Sequence, residues 1–448
     1  MTIHRSLLGI LSCVVLSVAA PAISQAHPAD PTQGGEGGRI IRVTSLAKGG
    51  PGSLADALAQ EGPRIIVFEV GGAIDLELSS LRIEEPFVTI AGQTAPSPGI
   101  TLLRGGIDVA THDVKISHLR VLTGVAGQAK RSGWEADAFS TVAAHNVVIE
   151  NNTFMWAIDE NMSASGPRFT GDTVDEWRRG TSRNIVFRLN LAAEGLADAS
   201  HPKGEHSKGS LIHDNATGIV FDRNIWAHNV ERSPLVKGGA QVLMVNNFIY
   251  DPQHRAVHYN LMDLEWAGHE PVTGEITAVG NVMRGGNSTD EGLPFLMLGG
   301  VGDLAYYGRD NIAVDKYGNA LPDFGRYGET SADLVVSQQP LASLDGYDIL
   351  ASSDVETTLL ATAGARPWDR GEEEVRVLFY IAEGRGEVID SEDEVGGYPQ
   401  IAETRAPFVE TQWDLKTLSP RDNLYPGQTA GAQEHLSPRD RDMRSSER

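Results

Sequence analysis

The 448-residue sequence predicts an all-β fold, a parallel β-helix with a capping helix at its N-terminal end. Three observations predict it. Six short apolar stretches repeat one alternating pattern, and asparagine recurs at the same place in five of them. Glycine, at 49 residues, exceeds the roughly 7% of average chains and implies many tight turns.

The six stretches are 113–119, 146–152, 184–190, 218–224, 241–247 and 275–281. Each opens on a turn-forming or polar residue and continues as a short alternation, which reads as a strand with one buried face. Asn152, Asn190, Asn224, Asn247 and Asn281 hold the seventh place. The starts lie 33, 38, 34, 23 and 34 residues apart. A propeller or helical repeat keeps its period more closely. A β-helix keeps only a fixed core of strands, while loops of any length bulge from its coils. Asparagine tolerates the left-handed conformation of a corner between strands, and stacked amides bond to one another along the axis. Unrelated strands of a β-sandwich rarely repeat one corner residue in phase.

From the N-terminus, Arg5, the apolar run Leu7 to Ala20, and the small residues Ser24 and Ala26 predict an export signal over 1–26, cut after Ala26. The run is too short for a membrane anchor and is followed by Pro21. Cys13, the one cysteine, falls inside it; the apolar run continues past it, which argues against lipid attachment. The expected product is a secreted monomer, extracellular or periplasmic, whose stability comes from a large core rather than from disulfides. Gly49 to Leu58 reads as a turn and a short helix with Ser53 as N-cap, which covers the open apolar end of the solenoid. The strand Arg64 to Val70 follows. Beyond about residue 300 the asparagine pattern fades, and 360–400 is mixed, with acidic runs at Glu372 to Glu374 and Glu392 to Glu394. The body and its C-terminal extension are expected over 27–415, and a polar, mobile tail over 416–448.

Acids outnumber bases by 60 to 37, for a net charge of −23. Such a surface repels nucleic acid and anionic membrane. It also repels a polyanionic sugar, unless a cation or a local basic patch intervenes.

Several stretches, taken together and in order, resemble the pectate lyase family of parallel β-helix polysaccharide lyases, in its bacterial and fungal branch. They are 50–57 (GPGSLADA), 63–68 (PRIIVF), 89–96 (TIAGQTAP), 156–161 (WAIDEN), 228–237 (HNVERSPLVK) and 395–399 (VGGYP). The resemblance implies a right-handed, single-stranded β-helix, dependence on Ca2+, and cleavage of pectate or polygalacturonate by β-elimination. It departs from the family at Glu150-Asn151, where relatives typically carry Asp-His. That pair is expected near the calcium acids, which puts the metal geometry and exact substrate in question.

β-Elimination on a uronate requires acidifying the C5 proton, removing it, and expelling O4. A calcium ion suits the first task, because it takes hard oxygen ligands in flexible geometry. Asp137 and Asp159 resemble the family's calcium acids, and Glu160 matches the pattern beside them. The family's base falls on Arg232. A guanidinium holds its proton, with a pKa above about 12, so Arg232 acts as base only where neighbouring cations weaken that hold. Lys208 resembles the family's substrate lysine. Lys237 stands where relatives often have a second arginine and gives up bidentate recognition. Lys203, His201 and His206 are nearby candidates with no motif of their own. Trp134, Trp156 and Trp226 could stack on sugar rings, although Trp156 and Trp226 lie within coil segments and are expected to be buried.

Two rivals stay open. A β-helix glycoside hydrolase would use paired carboxylates such as Asp159 and Glu160 without a basic groove. A noncatalytic β-helix would only bind polysaccharide. No His-x-x-x-His motif or cysteine pair points to a zinc enzyme.

Overall fold

A computed structural model describes residues 30–428; the expected export segment with Cys13 lies outside them, as do residues 429–448. The chain winds into coils that stack three parallel sheets of eleven, nine and ten strands. In the ten-stranded sheet, Thr404–Arg405 adds one antiparallel edge strand.

All six stretches foreseen as coil strands lie side by side in the eleven-stranded sheet. Their registers place like on like. Ile116, Ile149, Phe187, Phe221, Met244 and Ala278 form one inward column. Phe187 and Phe221 stack with centroids 5.0 Å apart, close to the strand spacing. These side chains are fully buried in the solenoid core.

The asparagines form a continuous ladder. The amide oxygen of Asn190 accepts from the backbone N–H of Asn152 at 2.9 Å, and its own backbone N–H donates to Asn224 at 3.0 Å. Asn247 and Asn281 continue the series. The ladder runs one rung further than the sequence pattern, to Asn311, which accepts from Asn281 at 3.0 Å. Gly308 and Arg309 hide that rung by interrupting the apolar alternation. One reason given for the asparagines needs correction. The left-handed residue is the one before each of them: Asn151, Leu189, Arg223, Asn246 and Gly280. The ladder asparagines are there for their amides.

The capping helix is Leu54–Leu58, with the Ser53 hydroxyl accepting from Asp56 N–H. Arg64, wholly buried, ties it to the first coils by donating to the carbonyls of Ala57, Leu58, Glu85 and Pro86.

The mixed region after residue 350 contains two helices that the sequence reading did not anticipate, Ser352–Thr362 and Glu372–Ala382. Val355, Leu359, Val377 and Ile381 pack on Met155, Leu191, Ile225 and Phe248 of the ten-stranded sheet, in a second core. Glu374, read in sequence only as part of an acidic run, accepts from Arg120 at 2.6 Å, from Gly371 N–H at 2.8 Å and from Ala365 N–H at 3.0 Å. Part of the expected tail is also docked. Trp413–Asp414 pairs with Ser419–Pro420, and Leu418 packs with Trp413 and Phe408 against Ile65 and Val67. The boundary foreseen at 416 therefore falls inside packed structure, because the apolar residues between the polar ones were discounted.

Candidate active site

The nine-stranded sheet carries the site. Its strands Phe139–Val142, Glu160–Ser165, Lys208–Ile212, Leu235–Lys237 and Val257–Leu261 are consecutive neighbours. Glu160 lies in register with Lys208, and Lys208 with Glu231. Acid, base and acid thus alternate up one column, and Arg232 follows directly in the chain.

Asp137 and Asp159 sit at the starts of two adjacent coils of this sheet. Asp137 accepts from Glu160 N–H at 3.0 Å and from the Ser163 hydroxyl at 3.1 Å. One carboxylate oxygen each from Asp137, Asp159 and Glu160 lies within 4.8 Å of the others. Burial, and then the charge of Asp159, push the Asp137 carboxyl up to about 7. Burial likewise drives Glu160 well above the usual range; the charge of Arg232 opposes this, and the charges of Asp137 and Asp159 add to it. Asp159 goes the other way. Burial would raise it, but the hydrogen bond and charge of His206, with the charge of Arg232, hold it below the carboxylate range.

Arg232 adopts a left-handed backbone (φ 65°) and sets its guanidinium on the Glu160 carboxylate. Held left-handed geometry in a non-glycine residue costs of order 1–3 kcal/mol and clusters at functional sites. Lys208 donates to Glu231 at 2.6 Å. Burial, followed by the charges of Arg232 and Arg255, lowers its amine to about 7. Lys237 reaches the Glu265 carboxylate and lies 3.6 Å from Asp214. The structure therefore brings all six sequence-derived residues to one face, and all except Asp137 and Lys208 line a single groove of about 420 Å³. Lys203 and His206 line it too.

Several groove residues were missed. Arg255 takes the second oxygen of Glu231 and lies 4.8 Å over the Tyr327 ring. Glu231 thus bridges two cations, and Arg168 joins Asp214 at 2.8 Å and Glu265 at 3.1 Å beside Lys237. No spacing signals these partners, since they come from separate coils. The tryptophans do not serve the groove: Trp156 and Trp226 are wholly buried, donating to Glu194 and Ser210, and Trp134 donates to Gly124 and packs on the second core.

No family model matches the chain. Over 219 residues it is 32% identical to a protein of Emericella nidulans named probable pectate lyase C, covering 49% of this chain and 44% of that protein. Over 247 residues it is 31% identical to a protein of Aspergillus terreus with the same name, covering 55% and 51%. Over these spans this chain is similar to proteins named as pectate lyases. It spans about half the length of the curated relatives it matches. Among solved structures, Jun a 1, the major allergen of cedar pollen, shares the fold with a TM-score of 0.50 at 15% identity, over 74% of this chain and 90% of that one.

The departure from the pectate lyase pattern at Glu150-Asn151 does not touch the acid trio. Glu150 ends a strand of the asparagine sheet and lies 3.6 Å from Arg188. Asn151 donates to the carbonyls of Thr362 and Gly364, at the corner under the C-terminal helices. The expectation that this pair borders the metal acids is therefore corrected. Neighbours in sequence here diverge, because the strand Thr153–Met155 of the ten-stranded sheet, with a corner on each side, separates them from the strand of Glu160.

Proposed function

We propose that the protein is a secreted lyase that cleaves polygalacturonate-type uronate polymers by calcium-assisted β-elimination. The observation that carries this reading is Arg232 seated on Glu160, one member of a three-carboxylate cluster, at the wall of a groove that also presents Lys237 and Arg255.

Asp137, Asp159 and Glu160 fit Ca2+ in donor type, being clustered hard oxygens. Burial first, and then the neighbouring carboxylates, raise the proton affinity of Asp137 and Glu160. When bound there, calcium supplies the positive charge that neutralises the sugar carboxylate and acidifies C5. Lys237 holds a uronate carboxylate in the groove, and Lys208, which is bonded to Glu231 and does not line the groove, reaches one by exchanging that partner. In its neutral guanidine form Arg232 takes the C5 proton, the C5–H electron pair becomes the C4–C5 double bond, and the C4–O4 bond breaks with its pair staying on O4, which takes a proton from water. Glu160 keeps the guanidine aimed at C5. The local cations answer the repulsion expected from a net charge of −23, because a cleft focuses its own field. Among the described residues no helix is long and apolar enough to cross a membrane.

The test is incubation with polygalacturonate and calcium, following the ultraviolet absorbance of the unsaturated product. A lyase produces it and loses it with chelator. Reducing ends without that absorbance would identify a hydrolase, and neither signal a binding protein.

A further inference from the structure

We propose that Asp159, His201 and His206 form a second metal site, for a divalent transition metal of the zinc class, on the flank of the carboxylate trio. The proposal stands on these side chains and not on the elimination chemistry.

Residues 201–206 fold back on themselves. Gly204 N–H donates to His201 O at 3.2 Å, and His206 N–H to Ala197 O at 2.8 Å. The two imidazoles are thereby stacked face to face, 3.6 Å apart and 8° from parallel. Both Nε2 atoms turn toward one carboxylate: His206 lies 2.9 Å from Asp159 Oδ1, and His201 lies 3.7 Å from Asp159 Oδ2. A donor atom from each of the three residues lies within 4.8 Å of the others.

The hydrogen bonding of this cluster is incomplete. His201 is fully buried, and its Nε2 has no hydrogen-bond partner; neither does Asp159 Oδ1. Buried polar atoms are almost always paired, so two such atoms in one cluster, with His206 Nε2 nearest to Asp159 Oδ1 and Glu135 Oε2 nearest to His201 Nε2, need an explanation. His206 Nδ1 lies 3.2 Å from the carbonyl of Glu205, to which only a protonated nitrogen can donate. Its Nε2, 2.9 Å from Asp159 Oδ1, is then either a second N–H on that oxygen or the lone pair that holds a metal cation between the two. An Nδ1–H on a backbone carbonyl is also the usual support of a metal-binding histidine. Glu135 Oε2, 3.1 Å from His201 Nε2, offers a further donor from the open side. His201 Nδ1 now accepts from Lys203 N–H at 3.1 Å, a contact that ligation through Nε2 gives up.

The donor set selects the metal. Two imidazole nitrogens with one or two carboxylates suit zinc, cobalt or nickel, whereas calcium prefers oxygen alone. Asp159 belongs to both sets, so occupancy of this site bears directly on the trio.

The experiment titrates Co2+ into the metal-free full-length chain, by calorimetry and by its visible absorption, with circular dichroism as a fold control. Wild type should bind one Co2+ with the spectrum of a nitrogen-ligated ion, displaceable by Zn2+. His206→Gln and His201→Gln should each weaken it by at least about a hundredfold, since even outer-shell partners cost 10–100-fold. Asp137→Asn, which lies in the oxygen trio only, should keep it within a few-fold. Wild type without such binding overturns the proposal. So does equal affinity in the two histidine variants, or loss in Asp137→Asn, which would place the ion among the oxygens. Activity with calcium is not read, so failure here leaves the elimination assay to stand or fall separately.

Discussion

Glu374 and Glu160 are both glutamates with almost no exposed surface, one beneath the C-terminal helices and one on the groove sheet, and their carboxyls behave in opposite ways. Glu374 is ringed by donors. Burial opposes its charge, yet Arg120, Arg370, Thr153 and the Gly371 N–H hold its carboxyl down to about 2. Glu160 is raised first by burial, and one arginine, with two acids beside it, does not compensate. Burial alone therefore says little about a charged group. A carboxylate that the fold has fully paired serves stability, and one left short of positive charge marks where the molecule expects a ligand.

The contrast is open to test, beginning with the largest effect. Arg232→Ala should cut turnover of polygalacturonate by about 10²–10⁴-fold, the range of a lost general base, in a variant whose circular dichroism still shows the fold. Full activity in that variant would remove Arg232 from the mechanism. Glu374→Ala should leave Arg120 buried without its partner and cost about 3–5 kcal/mol in denaturant unfolding, with turnover of the folded enzyme preserved. The acid limb sharpens the same point. A carboxyl lowered from 4.5 to about 2 contributes stability that is fully present above about 4.5 and is lost as the pH falls through about 2. The wild type should lose stability over that window and the alanine variant should lose less. Asn224→Ala takes one rung from the ladder and should cost about 1–3 kcal/mol, the range for leaving buried donors unsatisfied.

The smallest effect concerns the trio. Asp137 is raised from 3.8 to about 7, so its contribution is favourable while protonated and is lost as pH rises through about 7. Calcium has to displace that proton. Its stabilisation of the fold should accordingly be small a unit below pH 7 and clearly larger a unit above it, read as the melting shift between calcium and chelator. A shift independent of pH would mean that calcium does not sit on Asp137.

The coils were legible because each repeats its own corner chemistry, so Asn190 or Asn224 announces a rung wherever the flanking strand is regular. Asn311 was lost where Gly308 and Arg309 break the alternation. The groove was legible only through short motifs around Asp159, Lys208 and Arg232. Glu231, Arg255 and Glu265 were not, since their meaning comes from stacking coils whose intervening loops differ in length. The helices over the ten-stranded sheet escaped for a related reason: Glu374 looks like a solvated acid until Arg120, 254 residues away, is placed against it.

The amide ladder also has a direction. Each asparagine oxygen receives from the coil before it, and each asparagine donates to the coil after it. Stripping the coils up to that of Leu119 would leave Asn152 with an idle oxygen, while its amide nitrogen keeps the Glu150 carbonyl and the Asn190 oxygen, a tolerable loss. Peeling off the last rung would strand the backbone N–H of Asn281, while its amide nitrogen keeps the carbonyls of Met244 and Val279; a lost donor is heavier than an idle oxygen. Truncation is thus borne unequally at the two ends, and a shortened version of this solenoid should be trimmed from the front.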